Sequence, residues 1–366
     1  MKFLLKNIEI QNPFKPAFTS DILIDENKII KIEENINSDD AKVINGTDKI
    51  LTVGLIDRHT HGGYGCNFNT CTEEELQNYL INVEKHGITE VLPTIMTDSV
   101  ENINKQIQLI QNIKSKGAKI IGIHLEGPFI NPCKKGIHPE KYILEPTVEN
   151  LNKIDTNFIK VLTYAPELDK DNEFLEELNN QNIIPSIGHS ECTYDLACKV
   201  FENGANQITH IFNAIRPIHH REPSVITAAL NNNNIGVEII MDLEHVHKAV
   251  VETLLILKPK EKVLLITDAL PISYSDKKED IFGEEKIFYD GKKATSADGV
   301  LAGSVLYFDD IYKKISDFVE FKDFIGFASK NIAESLNIKF SEIEENSTCS
   351  LILWNKETKT CLGKVI

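Results

Sequence analysis

Cysteine occurs in this chain, but never in a pattern that builds structure. Among 366 residues there are seven, Cys66, Cys71, Cys133, Cys192, Cys198, Cys349 and Cys361, an odd and scattered set with no C-x-x-C. That argues against a disulfide framework and against a zinc ribbon, and fits reduced thiols in a cytoplasm. Long apolar runs are also missing. The most apolar segment, Ala249 to Leu257, is interrupted by Glu252 and falls well short of the ~20 residues of a membrane span. Met1 to Ile10 alternates Lys with apolar residues and carries no targeting signal. Positive charge is scarce: 39 Lys and Arg stand against 55 Asp and Glu, a formal charge of −16. Such a field repels nucleic acid and anionic membranes, so neither is expected as a partner. An anionic ligand would have to be met by a local cluster of donors.

What is present reads as two kinds of segment. Near the N-terminus, Asp21 to Asp25 and Lys28 to Ile32 flank a turn at Glu26-Asn27, a hairpin pattern. Val43-Ile44, Asn45-Gly46 and the apolar run after them repeat that pattern. Ser350 to Trp354, the turn Asn355 to Thr358, and Lys359 to Ile366 repeat it again at the other end. These ends predict one small β domain built from residues 1–50 and 339–366. Between them, over 51–338, short β-branched runs alternate with helical stretches. Eight strands are expected: Leu51–Asp57, Ile88–Ile95, Ile120–Leu125, Ile159–Tyr164, Ile183–Gly188, Gln207–His210, Gly236–Met241 and Val263–Thr267. Eight β/α units close into a barrel. Thr72-Glu73-Glu74-Glu75 is a capping box opening a helix that stops at His86-Gly87. Two more helices are expected near Val305–Phe318 and Asp323–Leu336.

Metal-binding residue types gather at the ends of these strands, the face where barrels place their active sites. The first ends in His59-Thr60-His61-Gly62-Gly63, and in extended chain residues two apart share a face. The third ends in Glu126, the fifth in His189, the sixth in His210 and the eighth in Asp268. A lone buried His is usually a satisfied core residue, and H-x-H by itself is weak. Five N/O donors and an Asp, each from a strand end, favour a metal site. Nitrogen and oxygen donors without Cys suit Zn²⁺ or Fe²⁺. Asp268 is the candidate proton carrier for a metal-assisted hydrolysis.

Eight stretches resemble the N-acetylglucosamine-6-phosphate deacetylase family of the amidohydrolase superfamily. They are residues 54–62, His124-Leu125-Glu126-Gly127-Pro128-Phe129, residues 134–138, Gly188-His189-Ser190, Thr209-His210-Ile211-Phe212-Asn213-Ala214, Arg221-Glu222-Pro223, residues 265–269 and residues 301–304. The resemblance implies a metal-dependent (β/α)8 barrel with a small β-sandwich domain from both termini. It implies deacetylation of N-acetylglucosamine 6-phosphate, with metal-bound hydroxide as nucleophile and Asp268 as general acid/base. Glu126, His189 and His210 match the ligands of one divalent ion. His59 and His61 match the H-x-H that some members keep for a second. His138 matches a substrate-contacting histidine, and Leu301, Ala302 and Gly303 match a loop along the sugar.

The phosphate would meet Asn213, Ala214, Arg221 and His245. Strand-end N–H groups and a guanidinium fork are suited to that anion, and in the family the arginine arrives from the neighbouring subunit of a homodimer. Met241-Asp242-Leu243-Glu244-His245, Ser224, and Arg216 to His220 depart from the family pattern. The fourth strand ends in Tyr164-Ala165-Pro166 without the Lys of the cyclic-amide branch. Two alternatives remain: the galacto epimer as substrate, or a non-catalytic sugar-phosphate-binding barrel.

Overall fold

The structure, a computed structural model, describes residues 2–365. Met1 and Ile366, the outer limits of the two terminal β segments, lie outside the described residues. Eight parallel strands form the central ring: Leu55–Thr60, Ile88–Met96, Ile123–Glu126, Ile159–Tyr164, Ile184–Ile187, Gln207–Ile208, Gly236–Ile240 and Val263–Ile266. Each pairs in parallel with the next. The ring closes where the N–H of Asp268 donates to the carbonyl of His59 at 2.8 Å and Thr267 Oγ1 donates to Asp57 at 2.5 Å. A ring strand overlaps each of the eight segments predicted from sequence, although the run expected over Ile120–Leu125 breaks into Lys119–Ile120 and Ile123–Glu126. Most ring strands are apolar on both faces because the ring has a filled interior and an outer layer of helices.

The interior is layered. At the N-terminal end Ile56, Leu92, Val161, Ile184 and Leu264 pack against Ile332, Ala333 and Leu336. These last belong to or follow the short helix Lys330–Ser335, which plugs the barrel floor. The helix expected over Asp323–Leu336 is therefore two pieces, Phe321–Phe327 and Lys330–Ser335. Above the plug lies a polar layer. Thr163 Oγ1 and Thr209 Oγ1 are 2.7 Å apart, Ser186 Oγ is 2.7 Å from Thr209 Oγ1, and His124 Nε2 is 2.8 Å from Thr163 Oγ1. The metal-binding residue types lie above that.

The ends of the chain form a seven-stranded sheet. Lys2–Ile10 pairs antiparallel with Phe18–Asp25, which pairs with Lys28–Glu33 across the Glu26-Asn27 turn. Leu351–Asn355 pairs with Cys361–Lys364 and with Lys49–Val53. Two expectations are corrected. Lys42–Asn45 and Lys49–Val53 are not a hairpin; both run parallel to Lys2–Ile10, one beside its first half and one beside its second. The strand expected over Leu51–Asp57 is two strands, separated at Gly54 where the chain leaves the small sheet for the barrel. A Cβ on Gly54 would fall 2.0 Å from Thr89 Oγ1, so the crossing passes too close for a side chain.

The Thr72 capping box is formed, and the helix it opens ends through a 3₁₀ turn at Gly87, φ +83°. After the eighth strand comes a four-stranded antiparallel sheet that the sequence reading did not anticipate: Glu279–Phe282, Glu285–Tyr289, Ala294–Ser296 and Leu301–Gly303. Its signals in the sequence were the turn pairs Gly283-Glu284 and Asp290-Gly291, flanked by short runs carrying β-branched and aromatic residues. Among the described residues no helix is long and apolar enough to cross a membrane.

Candidate metal centre and active site

Glu126, the last residue of the third barrel strand, is the hub. Its Oε1 lies 3.1 Å from His189 Nε2 and 2.9 Å from His210 Nε2; the two imidazole nitrogens are 3.1 Å apart. Its Oε2 lies 3.1 Å from His61 Nε2 and 3.4 Å from His138 Nε2. His59 Nε2 approaches Oε1 at 3.5 Å. Asp268 Oδ1 is 3.3 Å from His61 Nε2 and 3.5 Å from His59 Nε2. All these side chains are buried.

Three of these ligand-type residues carry strained backbone. His189, His210 and Asp268 have φ of +48°, +25° and +52°, as do Phe212 at +80° and Ala214 at +47°. Non-glycine residues rarely occupy this region, and where they do the surrounding structure holds them there for a purpose. Here it turns each side chain from the strand end toward the barrel axis.

Four of the five rings are also anchored on the far side, whereas His210 Nδ1 is buried without a hydrogen-bond partner. His59 Nδ1 donates to Glu238 Oε2 at 3.0 Å, and Glu238 Oε1 pairs with Arg58 Nε at 2.8 Å, all without solvent exposure. His61 Nδ1 faces the Thr94 carbonyl at 3.2 Å, His138 Nδ1 the Thr97 hydroxyl at 2.8 Å, and His189 Nδ1 the Lys134 carbonyl at 2.8 Å. Such partners set the tautomer, so that Nε2 presents a lone pair to the centre.

Does this set fit a cation? Atoms bound at 2.0–2.1 Å around a tetrahedral ion lie about 3.3 Å from one another, the range seen here. His59 Nε2 is buried and has no hydrogen-bond partner, as expected of a ligand atom. His59, His61 and Asp268 form one tight donor group, and Glu126, His138 and His189 another. Burial pushes His61 down, but the carboxylates of Asp268 and Glu126 outweigh it and raise it to about 9. The same negative field would hold a divalent ion. Burial opposes ionisation of Glu126 and Asp268, yet His59 and its neighbours hold both carboxyls below their usual range.

A cavity of about 480 Å³ opens onto this cluster, a size suited to a small substrate. His61, Glu126, His138, His189, His210, Asn213, Ala214, His245, Asp268, Leu301, Ala302 and Gly303 all line it. His59 lies beneath, reached through Glu126 and Asp268. Arg221 does not line the cavity; it is exposed and its Nη1 is 2.7 Å from His220 Nε2. The Asn213 backbone N–H is already donated to the His210 carbonyl at 3.0 Å, so it is not open to an anion as its strand-end position suggested. The His245 side chain is 4% exposed, with Nδ1 on Asp242 Oδ2 at 2.8 Å. Glu244, beside it, turns to Lys314 Nζ at 3.4 Å.

Sequence reasoning did not single out Glu238, Thr97 or Phe282. Glu238 lies within the apolar strand Gly236–Ile240, and a charged residue in a strand buried on both faces is the signal that could have found it.

No family model matches the chain. Curated relatives do. The N-acetylglucosamine-6-phosphate deacetylase of Lysinibacillus sphaericus is 30% identical over 346 residues, 92% of this chain and 89% of the relative. This chain belongs to the N-acetylglucosamine-6-phosphate deacetylase family. An N-acetylgalactosamine-6-phosphate deacetylase of Escherichia coli O157:H7 is 30% identical over 71% of each chain. Among solved structures, the N-acetylglucosamine-6-phosphate deacetylase of Thermotoga maritima superposes with a TM-score of 0.87 at 27% identity, over 99% of this chain and 98% of the other. The barrel with a β domain from both ends is thus the architecture of this deacetylase family.

Proposed function

We propose that this member of the deacetylase family hydrolyses the acetamide of N-acetyl-D-glucosamine 6-phosphate to D-glucosamine 6-phosphate and acetate. The observation that carries the reading is Glu126, ringed by imidazole nitrogens and faced by Asp268 at the mouth of a family-type barrel. Glu126, His189 and His210 would hold one divalent ion, Zn²⁺ or Fe²⁺, and His59, His61 and Asp268 would hold a second. The metal supplies Lewis acidity toward the amide carbonyl and lowers the pKa of a bound water.

The chain's own groups do the rest. Asp268, held as a carboxylate, takes the proton of the attacking water and returns it to the departing amine nitrogen. His138 turns Nε2 toward the centre because Thr97 occupies its Nδ1, and burial lowers it to about 4. It therefore meets the substrate as a neutral imidazole. Leu301, Ala302 and Gly303 lie along the sugar. His245, the Asn213 side chain and Ala214 meet the phosphate, joined by Arg221 from a neighbouring subunit of a homodimer. Anchoring the phosphate orients the acetamide at the far end. We draw the domain division at the passage through Gly54, just beyond the expected 50/51, and at 338/339, and place the protein in the cytoplasm.

The galacto epimer is the second reading, favoured by the 30%-identical galacto relative. Acetate release from both epimers, with metal content on the same preparation, tests the proposal. Turnover of the gluco compound above the galacto one is expected. No turnover of either by metal-loaded protein would sink the substrate. A barrel that only binds the sugar phosphate would do so without releasing acetate.

A further inference from the structure

The four-stranded sheet after the eighth strand reaches into the barrel mouth by the tip of its first hairpin. Phe282 pairs with Glu285 across a two-residue turn in which Gly283 and Glu284 have φ of +59° and +70°. That is a tight hairpin turn requiring left-handed backbone at both positions. The tip is clamped onto the segment bearing His138. A Cβ on Gly283 would fall 2.4 Å from the Ile137 carbonyl oxygen and 3.0 Å from Met96 Cε. Glu284 pairs with Lys141 at 2.8 Å, and Glu285 stands 3.9 Å from Lys135.

This clamping puts an aromatic ring beside the reacting centre. Phe282 packs edge-on against His61, ring centroids 5.1 Å apart, and it lines the cavity while only 2% exposed. Ile137, 5% exposed, also lines the cavity and shares an apolar cluster with Phe282, Met96 and Leu270. His61 and His138 flank the same oxygen of Glu126, Oε2. One side of the centre is therefore backed by a continuous, rigid apolar wall.

We propose that Phe282 and Ile137 form the acyl wall of the site: the acetyl methyl packs against them, and they exclude longer N-acyl chains. The inference rests on the deacetylase reading but concerns a different part of the substrate from the sugar phosphate. An amide whose carbonyl oxygen points to the centre and whose nitrogen points to the sugar has one remaining substituent, the methyl. The wall is the apolar surface adjoining the centre on the His61 and His138 side. A hydrophobic slot of this kind discriminates one methylene by roughly 10- to 200-fold.

The test compares kcat/KM for the N-acetyl, N-propionyl and N-butyryl derivatives of glucosamine 6-phosphate in wild type, Phe282→Ala, Phe282→Leu and Phe288→Ala. Phe288 belongs to the same hairpin but is 39% exposed and outside the cavity lining. Wild type should prefer acetyl over propionyl by at least about tenfold. Phe282→Ala should cut that preference by about tenfold or more through faster propionyl turnover, Phe282→Leu by less, and Phe288→Ala not at all. An unchanged preference in folded Phe282→Ala overturns the wall.

A second measurement needs neither the sugar nor a folded variant. Calorimetry of metal-loaded wild-type protein should show acetohydroxamate binding and butyrohydroxamate binding at least about tenfold more weakly. Equal binding of the two, or no binding of either, also overturns the wall. Selective hydroxamate binding without acetate release from either sugar phosphate would sink the substrate reading and leave the wall standing.

Discussion

The Nδ1–H of His59 donates to Glu238 Oε2 at 3.0 Å, and that bond aims the other ring nitrogen at the carboxylates of Glu126 and Asp268. Glu238 is itself held by Arg58, with no solvent contact on either side chain. Burial opposes the Glu238 carboxylate, but Arg58 and His59 keep it below its usual range. Glu238→Gln should therefore weaken metal binding by about 10- to 100-fold, the usual cost of losing a partner of a ligating imidazole. Metal-to-protein ratio after dialysis against a graded chelator checks it; wild-type retention would remove the orienting role. The same variant leaves Arg58 buried without its counter-charge, so a stability loss of about 3–5 kcal/mol in denaturant unfolding should accompany it.

Asp268→Asn removes the proposed proton carrier while preserving shape. kcat should fall by about 10²- to 10⁴-fold, with KM little changed and at least one ion retained through Glu126, His189 and His210. Turnover near wild type would refute the assignment.

Arg221 is exposed in its own chain and absent from the cavity lining. If it serves the neighbouring site, Arg221→Ala should raise KM for the phosphorylated sugar by roughly 10- to 100-fold, the loss of one or two charge-assisted hydrogen bonds. The unphosphorylated sugar should be nearly unaffected. Equal effects on both would detach Arg221 from the phosphate.

The Asp242–His245 pair makes a pH prediction with a definite sign. Burial raises Asp242, but the His245 hydrogen bond outweighs it and lowers the carboxyl to about 2. Burial lowers His245, but Asp242 outweighs it and raises the imidazole, with Asp268 and Glu244 adding to the rise. Lys314 faces the pair through the Asp242 carbonyl at 3.0 Å. A depressed carboxyl stabilises the fold above its unfolded pKa, and that contribution is lost as pH falls through the folded value. A raised imidazole stabilises below its unfolded pKa, and that is lost as pH rises through the folded value. The pair's contribution should be full between about pH 4 and 6.5, fading toward pH 2 and again as pH rises above about 6.5. The difference in melting temperature between wild type and His245→Gln, measured against pH, should trace that plateau. A flat difference would contradict it.

Gly303 shows how tightly the strand Leu301–Gly303 is pressed on Asp268. Its φ is +150°, and a Cβ there would lie 2.9 Å from the Asp268 carbonyl oxygen and 2.8 Å from Leu270 Cδ2. Gly303→Ala should lower kcat by about tenfold or more through displacement of Asp268, because small misplacements at a reacting centre cost about 10²-fold. Metal content should stay unchanged. Unaltered kcat would show the loop yielding instead.

The eight strands, the capping box and the strand-end donors were legible because each depends on neighbours a few residues away. Alternation, β-branching and a Gly after His61 or Glu126 are local signals, and placing them in ring order needs only the handedness of βα units. His59, His61, Glu126, His189, His210 and Asp268 could thus be picked from sequence alone, as could the terminal hairpins at Glu26-Asn27 and Asn355 to Thr358. Tertiary structure decided the rest. Glu238 reaches His59 across 179 residues of chain, and Thr97 reaches His138 across 41. The fork of the terminal sheet, the passage at Gly54, the floor plug at Lys330–Ser335 and the seating of Phe282 on His61 all arise between segments distant in sequence. No local pattern specifies such contacts, because their energies come from shape and charge brought together only when the barrel closes.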